Sequence, residues 1–232
     1  MARTKTARDG LSAPDANPII ARRRAEIEKA AVDLFSESGY HQTTIDDIAG
    51  HLGIGKGLIY RYFKDKTDVL LRALTAVLEV YDRDDPNALW AKESALRALQ
   101  WILLNLCAVS EEHPREVVLA YRSTKDLMRE QRRHIKALEN RIVADIRKRI
   151  EACVREGLLD APNVRALAYQ FVMYGHAWAL KNWALRKDFT IAQYVGAGER
   201  LLVVPFLTEA GRRAYRPIAA AEIAAGLRAV RE

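Results

Sequence analysis

Three of the four glycines in the stretch TTIDDIAGHLGIGKGLIYRYF, residues 43–63, lie at positions 53, 55 and 57 and divide it into two short amphipathic segments. Apolar residues recur in the first segment at spacings of three and four, as on one buried helical face: Ile45, Ile48, Ala49 and Leu52. Thr44 precedes this segment as a helix N-cap, and Gly53 follows it where a helix ends most easily in a left-handed backbone. We therefore predict two short helices joined by a tight turn, with Gly55 capping the second helix.

The second segment, residues 56–63, is expected to bury Ile59 and Phe63, which are spaced by four. The residues then left outward are Lys56, Gly57, Tyr60 and Arg61. Gly57 inside a helix costs about 1 kcal/mol relative to alanine, and its missing side chain would let a bulky partner approach the backbone. This arrangement is typical of a helix-turn-helix, whose second helix enters the major groove of DNA. An ordinary helical hairpin, in which the glycines only close turns, is the alternative.

The remainder of the chain predicts an all-α fold, because almost nothing alternates with the two-residue period of a strand. Helical periodicity is expected over 19–38, 45–52, 56–63 and 66–81, and then over roughly 88–112, 115–128, 130–157, 163–187 and 190–207. Gly39 is placed to end the first of these helices, and Asp65 is placed to cap the fourth.

Three boundaries are predicted along the chain. Residues 1–18 are polar and contain proline and glycine, so we expect a disordered basic arm. The charged segment DRDDPNA, residues 82–88, is predicted to separate a small N-terminal domain, 19–81, from a larger helical domain, 88–210. Residues 211–232 are expected to form a tail with a short alanine-rich helix.

Charge and composition limit the classes of function. The 232 residues carry a formal net charge of +7, and residues 1–24 hold six cations against two acids, which suits a phosphate-bearing partner or a solvated tail. No apolar run approaches the roughly 18–20 residues of a membrane span, and the N-terminus lacks the apolar segment of a secretory signal. We therefore expect a soluble cytoplasmic protein without a membrane partner.

Catalytic and metal-binding patterns are lacking in the sequence. Cys107 and Cys153 lie far apart in apolar surroundings, so we expect two free, buried thiols. The five histidines are scattered and accompany no Ser/His/Asp set or paired carboxylates. We predict no cofactor, no metal site and no enzyme activity.

The residues around the two short helices extend the pattern over about fifty positions. The positions concerned are Ala30, Ala31, Leu34, Phe35, Gly39, Tyr40, Thr43, Thr44, Ile45, Ile48, Ala49, Gly53, Ile54, Lys56, Gly57, Ile59, Tyr60, Tyr62, Phe63 and Lys66. At these positions, which lie between about Arg24 and Leu74, the chain resembles the DNA-binding domain of the TetR family of bacterial transcriptional regulators. The resemblance implies a three-helix helix-turn-helix domain, followed by a larger helical domain that binds a small ligand and forms dimers.

In that family the second short helix is the recognition helix. The resemblance implies that DNA is faced by Lys56, Gly57, Tyr60 and Arg61. Phosphates would be contacted by Thr44, Tyr62 and Lys66, and by backbone N–H groups beside Thr43 and Thr44. Gly55 stands where the family often has Ser or Thr, which weakens the helix cap slightly. Leu58 stands where Thr is common, so that a contact with a thymine methyl group would replace one polar contact.

The resemblance also implies a ligand site and a dimer interface in the larger domain. Residues 163–207 are apolar on more than one face, which suits a four-helix dimer interface and also suits a closed core. The segments YRSTKDL, 121–127, and HAWALKNWALR, 176–186, resemble TetR regulators that sense acyl-coenzyme A thioesters. The residues that would form such a site are Trp101, Tyr121, Arg122, Tyr174, Trp178, Lys181 and Trp183. Their rings would hold the acyl group, and their cations would hold phosphates.

A basic stripe offers further cations. Its members fall at i, i+3, i+4 and i+7 along one predicted helix: Arg129, Arg132, Arg133 and Lys136. Such a stripe is typical of a solvated face, and it is also suited to clamp a polyanionic ligand.

These features predict a repressor that binds a palindromic double-stranded DNA operator as a homodimer and is released by a small-molecule inducer. The candidate inducer is an acyl-coenzyme A thioester of lipid, steroid or aromatic-acid breakdown. An uncharged hydrophobic compound, as for a regulator of efflux, is the alternative, and a helical enzyme is a remote one. A sequence-blind architectural DNA binder would need more cations than the six that accompany seven acids between Arg24 and Lys66.

Overall fold

The computed structural model describes residues 18–81, 90, 93–161 and 163–231. Within these ranges the regular elements are α-helices and two short 3₁₀ turns, together with one isolated antiparallel bridge between Leu159 and Leu207. The predicted all-α fold is confirmed. Of the predicted basic arm only Pro18 is described, and the predicted boundary at 82–88 lies outside the described residues.

The first part of the molecule holds four helices, namely α1 Pro18–Ser38, α2 Ile45–Leu52, α3 Lys56–Ile59 and α4 Lys66–Tyr81. These bounds agree with the predicted ones, except that the regular part of α3 ends at Ile59 rather than at Phe63. The chain stays coiled beyond Ile59, since the Phe63 N–H donates to the Ile59 carbonyl at 3.0 Å. Both side chains are buried, as their spacing predicts.

The predicted caps lie at the ends of these helices. Gly39 and Gly53 have φ angles of 87° and 64°, in the left-handed region that glycine adopts most easily. Gly55 precedes α3 in an extended conformation and offers no side-chain cap. Asp65 caps α4, because its Oδ1 accepts a hydrogen bond of 2.8 Å from the Asp68 N–H. The tight turn between α2 and α3 therefore follows from local sequence.

The larger part of the molecule is a bundle built around one central helix. Its helices are α5 Ala95–Glu112, α6 Pro114–Ser123, α7 Arg129–Arg155, α8 Val164–Leu180, α9 Asn182–Asp188, α10 Ile191–Leu202, α11 Glu209–Ala214 and α12 Ala220–Arg231. α5 packs against α7, α8, α10 and α12, which explains why it is buried on nearly every side. Gly175 lets α8 approach α5 closely, since a Cβ there would lie 2.7 Å from the Leu106 Cβ.

Two of the longer predicted helices are interrupted. The helix expected over 163–187 divides at Lys181, whose φ of −124° and ψ of 24° are not helical. The helix expected over 190–207 ends at Leu202 and is followed by a 3₁₀ turn, Val204–Phe206, that contains Pro205. Proline lacks the N–H that an α-helix needs at this point, which accounts for the early end.

The C-terminal residues differ from the expected tail. α12 packs against α5 so closely that a Cβ at Gly226 would lie 2.9 Å from Leu104 Cδ2. Arg97, which is buried, forms an ion pair with Glu222 at the start of α12. Residues 220–231 therefore complete the core of the larger bundle.

α4 connects the two parts of the molecule. In its first half, Arg72 Nε lies 3.3 Å from Glu28 Oε1 on α1. At its end, the Tyr81 hydroxyl lies 3.1 Å from Ser110 Oγ on α5, and Asn105 donates to the Tyr81 carbonyl at 3.4 Å. With a rise of about 1.5 Å per residue, the nine-residue interval from Arg72 to Tyr81 separates these two anchorages by about 14 Å.

Candidate DNA-binding surface and effector cavity

The exposed face of the turn and α3 carries the cations and aromatic rings that the sequence places there. Lys56, Gly57 and Arg61 are exposed, and the Tyr60 side chain is 54% exposed. Leu58 and Tyr62 are half-buried beside them. A Cβ added at Gly57 would meet nothing within 4 Å, so the backbone there is open to an approaching partner. Lys56 Nζ pairs with Asp46 at 3.3 Å, and both side chains face solvent.

Thr44 caps α2 in a reciprocal arrangement. Its Oγ1 accepts a hydrogen bond of 3.1 Å from the Asp47 N–H, and Asp47 Oδ2 accepts one of 2.8 Å from the Thr44 N–H. The Thr44 hydroxyl also lies 2.7 Å from Asp47 Oδ2, and its hydrogen bond to the carboxylate, together with the one from the Thr44 N–H, holds the pKa of Asp47 below its ordinary value. Because the carboxylate occupies the Thr44 N–H, a phosphate at this helix end would have to use the neighbouring donors.

Thr43 has a different role from the one expected. Its side chain is only 2% exposed, and its Oγ1 donates to the carbonyls of Leu34 and Gly39 at 3.2 and 2.9 Å. The Thr43 N–H also donates to the Gly39 carbonyl, at 3.2 Å. Thr43 thus fastens the loop after α1, and its hydroxyl and N–H groups are engaged by carbonyl oxygens of the protein.

Lys66 is also engaged inside the protein. Its Nζ donates to the carbonyls of Tyr40 and Thr43 at 2.8 Å each and to that of His41 at 3.4 Å. The same ammonium lies 4.5 Å from the centre of the Tyr40 ring. Lys66 was expected to contact a phosphate. In the structure, its three N–H donors hold the loop ahead of α2 to the start of α4.

An apolar cavity of about 290 Å³ lies between α4, α6, α7 and α8. One wall comes from the last turns of α4, through Val77, Leu78 and Tyr81. α8 contributes residues spaced at i, i+3, i+4 and i+7: Tyr169, Val172, Met173 and His176. Val117 and Ala120 of α6 and Ile142 and Val143 of α7 close the remaining sides. The cavity is therefore bounded by the helix that also carries the DNA-binding part.

The polar groups in the cavity are few and mostly neutral. The Tyr121 hydroxyl and His176 Nδ1 are joined by a hydrogen bond of 2.9 Å. Burial lowers the pKa of His176 to about 4, so the imidazole is neutral at pH 7. Burial raises the pKa of Glu139, although Lys136 one helical turn away opposes this. Among the described residues that line the cavity, none is a lysine or an arginine.

Of the residues proposed from sequence for the ligand site, Tyr121 lines this cavity. Tyr174 and Trp178 lie on α8 about 200° around the helix from Val172 and His176. The Tyr174 ring stacks on Tyr194 of α10 at a centroid separation of 4.4 Å, and the Trp178 ring lies tilted against Tyr194 at 4.8 Å. Both therefore belong to the core on the far side of α8.

The other proposed ligand residues also lie elsewhere. Trp101 is buried against Trp90, with ring centroids 5.8 Å apart. Lys181 is exposed and Trp183 is 68% exposed, at the break between α8 and α9. Arg122 follows Tyr121 by one residue and so points about 100° away from it, into a depression beside the loop after α1. The structure does not bring these residues together.

The residues that line the cavity carried a signal in the sequence. The spacing 169–172–173–176 on α8 is that of one helical face, and a histidine ends the series. The apolar last turns of α4 could have been recognised in the same way. The sequence does not show, however, which apolar face of each helix meets the others.

One cation of the basic stripe is used within the chain. Arg132 donates to the carbonyls of Lys125 and Leu127 at 2.8 and 2.9 Å, which closes the 3₁₀ turn before α7. Arg129, Arg133 and Lys136 are exposed. Lys136 lies on the same face of α7 as Glu139, so the stripe reaches the rim of the cavity.

The part of the chain proposed as dimer interface exposes an apolar side chain on α10, where Leu201 is 62% exposed. Val172, by contrast, lines the cavity.

Within the described ranges, no three metal-binding side chains come together. No helix in the described part of the chain is both long and apolar enough to cross a bilayer. Cys107 and Cys153 are buried and free, and burial raises the pKa of Cys153 to about 12.

Comparison with known proteins agrees with this architecture. Residues 27–73 match the family described as bacterial regulatory proteins, tetR family. Over 200 residues the chain is 42% identical to the HTH-type transcriptional regulator HbdR of Aromatoleum sp. (strain CIB), covering 86% of this chain and 87% of that protein. The chain belongs to the TetR family of transcriptional regulators. Members of this family bind operator DNA and small-molecule ligands as dimers, and they are not enzymes.

More distant TetR proteins share parts of the chain or its fold. The fatty acid metabolism regulator protein of Bacillus subtilis (strain 168) is 46% identical over 46 residues, or 20% of this chain and 24% of that protein. The ketosteroid transcriptional regulator KstR2 of Mycobacterium tuberculosis superposes with a TM-score of 0.66 at 19% identity, covering 81% and 96% of the two chains. The regulator PfmR from Thermus thermophilus superposes with a TM-score of 0.65 at 20% identity, covering 77% and 97%. At these identities the superpositions show the fold alone.

Proposed function

We propose that this TetR-family chain is a repressor, and that a small molecule in the α4–α8 cavity releases it from a palindromic operator. The observation that carries the proposal is the position of α4. Its last turns form a wall of the cavity through Val77, Leu78 and Tyr81. Its first residue, Lys66, holds the loop that precedes α2. A ligand that displaces the end of α4 would therefore move the DNA-binding helices.

The operator contacts proposed for each protomer lie on the exposed face of the turn and α3. Lys56, Tyr60 and Arg61 would reach base edges or phosphates, and the open backbone at Gly57 would let α3 enter the groove. Leu58 would contact a thymine methyl group, while Thr44 and Tyr62 would lie beside the DNA backbone. A homodimer would place two such surfaces about one helical turn of DNA apart, or about 34 Å.

The joint between α6 and the DNA-binding part supports a mechanical link. Arg115 on α6 forms an ion pair with Asp33 on α1, and its other terminal nitrogen lies 3.7 Å from Glu37. His41 Nε2 lies 3.1 Å from Asp126 Oδ1. α6 also lines the cavity through Tyr121, so the ligand would touch two of the helices that hold the DNA-binding part. A small change in the cavity could thus alter the separation of the two recognition helices.

The proposed inducer is an acyl-coenzyme A thioester. A cavity of about 290 Å³ is roughly twice the ~150 Å³ that holds benzene in an engineered protein. It therefore suits a one-ring aromatic or medium-length acyl group better than a four-ring nucleus. A free carboxylate would find no lysine or arginine among the described lining residues and would face Glu139. The Tyr121–His176 pair offers neutral partners for the carbonyl of a thioester.

One relative supports a ligand from lipid metabolism. The Bacillus subtilis protein, which is 46% identical over 46 residues, is named as a regulator of fatty acid metabolism. The cavity itself would also accept an uncharged hydrophobic compound, since its walls are mainly apolar. That second candidate differs from the first in needing no cations outside the cavity.

The test measures release of a labelled operator, selected in vitro from random DNA, by fluorescence anisotropy. Benzoyl- and octanoyl-coenzyme A are compared with benzoic and octanoic acid and with the uncharged ethyl benzoate. We expect release by a thioester at concentrations where the free acid has no effect. Met173→Trp fills the cavity and should raise the concentration needed for release at least about tenfold. Val154→Trp, on an exposed part of α7 outside the cavity, is the matched control.

Each part of the proposal can fail separately. Equal release by free acids or ethyl benzoate would refute the thioester and favour the uncharged alternative. An unchanged response of Met173→Trp would show that the cavity is not the inducer site. Operator affinity that rises with the compound would show an activator or co-repressor mechanism.

A further inference from the structure

A second cavity of about 290 Å³ lies against the apolar one and is more polar, with cations among its lining residues. It is formed between the end of α4, the middle of α5 and the middle of α7. Among the residues that the structure describes there, three cations line it, namely Arg141, Lys148 and Arg149, together with one carboxylate, Asp145. We refer to it as the basic cleft. Arg141 and Lys148 are exposed, so the basic cleft is accessible from solvent.

The two cavities share part of their walls. Tyr81 and Ile142 line both of them, so these two side chains separate the basic cleft from the apolar cavity. The shared wall includes the last residue of α4, whose carbonyl accepts a hydrogen bond from Asn105 in the basic cleft. A ligand that passes beside Tyr81 would therefore occupy both cavities and hold the end of α4 from two sides.

The charges in the basic cleft favour an anion. Arg149 Nε donates to Asp145 Oδ2 at 3.0 Å, which leaves its terminal N–H groups for another acceptor. Arg141 and Lys148 lie about two helical turns apart along the same side of α7 and add two more positive charges. Such a fork of guanidinium and ammonium groups suits phosphate oxygens, which accept charge-assisted hydrogen bonds.

We infer that the basic cleft binds the phosphate-bearing part of the inducer whose acyl group occupies the apolar cavity. This inference rests on the function proposed above, and it places the phosphates at Arg141, Lys148 and Arg149 instead of at the basic stripe of Arg129, Arg133 and Lys136. The carbonyl-to-phosphate linker would pass beside Tyr81 and Ile142. Acyl groups would then select the ligand in one cavity, and phosphates would supply affinity in the other.

The experiment compares two probes that differ in their phosphates, benzoyl-coenzyme A and S-benzoyl-N-acetylcysteamine, by calorimetry without DNA and by operator release. Arg141→Gln/Lys148→Ala removes two cations from the basic cleft. Arg129→Gln/Arg133→Ala removes two from the stripe on the same helix and is matched in net charge. Arg147→Ala, which loses an exposed pair with Glu151 outside the cleft, is a further control.

The wild-type chain is expected to bind the coenzyme A ester about 100-fold more tightly than the truncated thioester, at about tenfold for each of two cation contacts. In the cleft variant this preference should fall to a few-fold, with the affinity for the truncated thioester unchanged. The stripe variant and Arg147→Ala should keep it. Circular dichroism and thermal unfolding should be the same for all variants, because the altered side chains are exposed.

Three results would overturn the inference. Equal binding of the two probes to the wild-type chain would mean that the phosphates are not bound, while the proposed inducer cavity would remain in place. Loss of the preference in the stripe variant with its retention in the cleft variant would move the phosphates to the stripe. If neither probe binds or releases the operator, the proposed thioester inducer fails together with the inference.

Discussion

Replacing Lys66 with methionine separates two roles that this residue could have in DNA binding. Methionine keeps the unbranched apolar stem and removes the ammonium group. In the structure that group donates two hydrogen bonds of 2.8 Å to the carbonyls of Tyr40 and Thr43 and a longer one to His41. If these contacts are the purpose of Lys66, the substitution should loosen the loop before α2.

The size of the loss follows from those contacts. A hydrogen bond to a charged group contributes about 1.5–3 kcal/mol when well buried. Lys66 is half-buried, so water would replace part of each bond, and the contact with the Tyr40 ring adds about 0.5–1 kcal/mol. We expect Lys66→Met to lower the free energy of unfolding by about 2 kcal/mol. Lys64→Met, at an exposed neighbouring position, should change it by less than about 0.5 kcal/mol.

The assay combines urea unfolding with the salt dependence of operator binding. A lysine that contacts a phosphate contributes about 0.9 to the slope of log K against log salt. A lysine that only holds the loop leaves this slope unchanged, although the operator affinity falls because the fold is loosened. An unchanged stability for Lys66→Met, together with a slope smaller by about one, would refute the reasoning and restore the phosphate contact that the family resemblance implies.

Three further predictions concern other parts of the molecule. Gly57→Leu should abolish operator binding and leave the free energy of unfolding nearly unchanged, since a Cβ there meets nothing in the protein. An unaltered operator affinity would contradict the proposed DNA-facing position of α3. Burial holds the pKa of His176 at about 4, so that on acidification the unfolded chain is protonated at a higher pH than the folded one. The free energy of unfolding should therefore fall by about 3 kcal/mol between pH 6.5 and pH 4. The free energy of unfolding of His176→Gln, measured by urea titration at each pH, should lack this loss. If it falls with pH as much as that of the wild-type chain, His176 is not the cause. Leu201→Glu should give monomers by light scattering that fail on a full palindrome, since an unpaired buried charge costs several kcal/mol, and a persisting dimer would place the interface elsewhere.

The DNA-binding part shows how far local sequence reaches. The cap at Thr44, the left-handed glycine at Gly53 and the buried pair Ile59 and Phe63 depend on residues within about four positions of one another. Hydrogen bonds and side-chain spacing over one helical turn determine such features. The bounds of α1, α2 and α4 and the exposed face of α3 could therefore be predicted from the sequence.

Two residues in the same region could not be interpreted from local sequence. Thr43 and Lys66 are polar and close to the predicted DNA surface, yet one is buried and the other points inward. Their partners come from α1 and from the loop after it, up to 26 positions away along the chain. Only the folded arrangement shows that the Lys66 ammonium is already occupied by carbonyl oxygens.

The sequence by itself determined the helices of the DNA-binding part, the helix-turn-helix and the family, because these depend on periodicity and on residues close together in the chain. The tertiary structure alone decided where the apolar cavity lies. α8 is apolar on two faces, and the aromatic face with Tyr174 and Trp178 turned out to pack on α10, while the face with Val172 and His176 meets α4. A helix presents every face equally well on its own, and only packing against its neighbours selects which face lines a cavity.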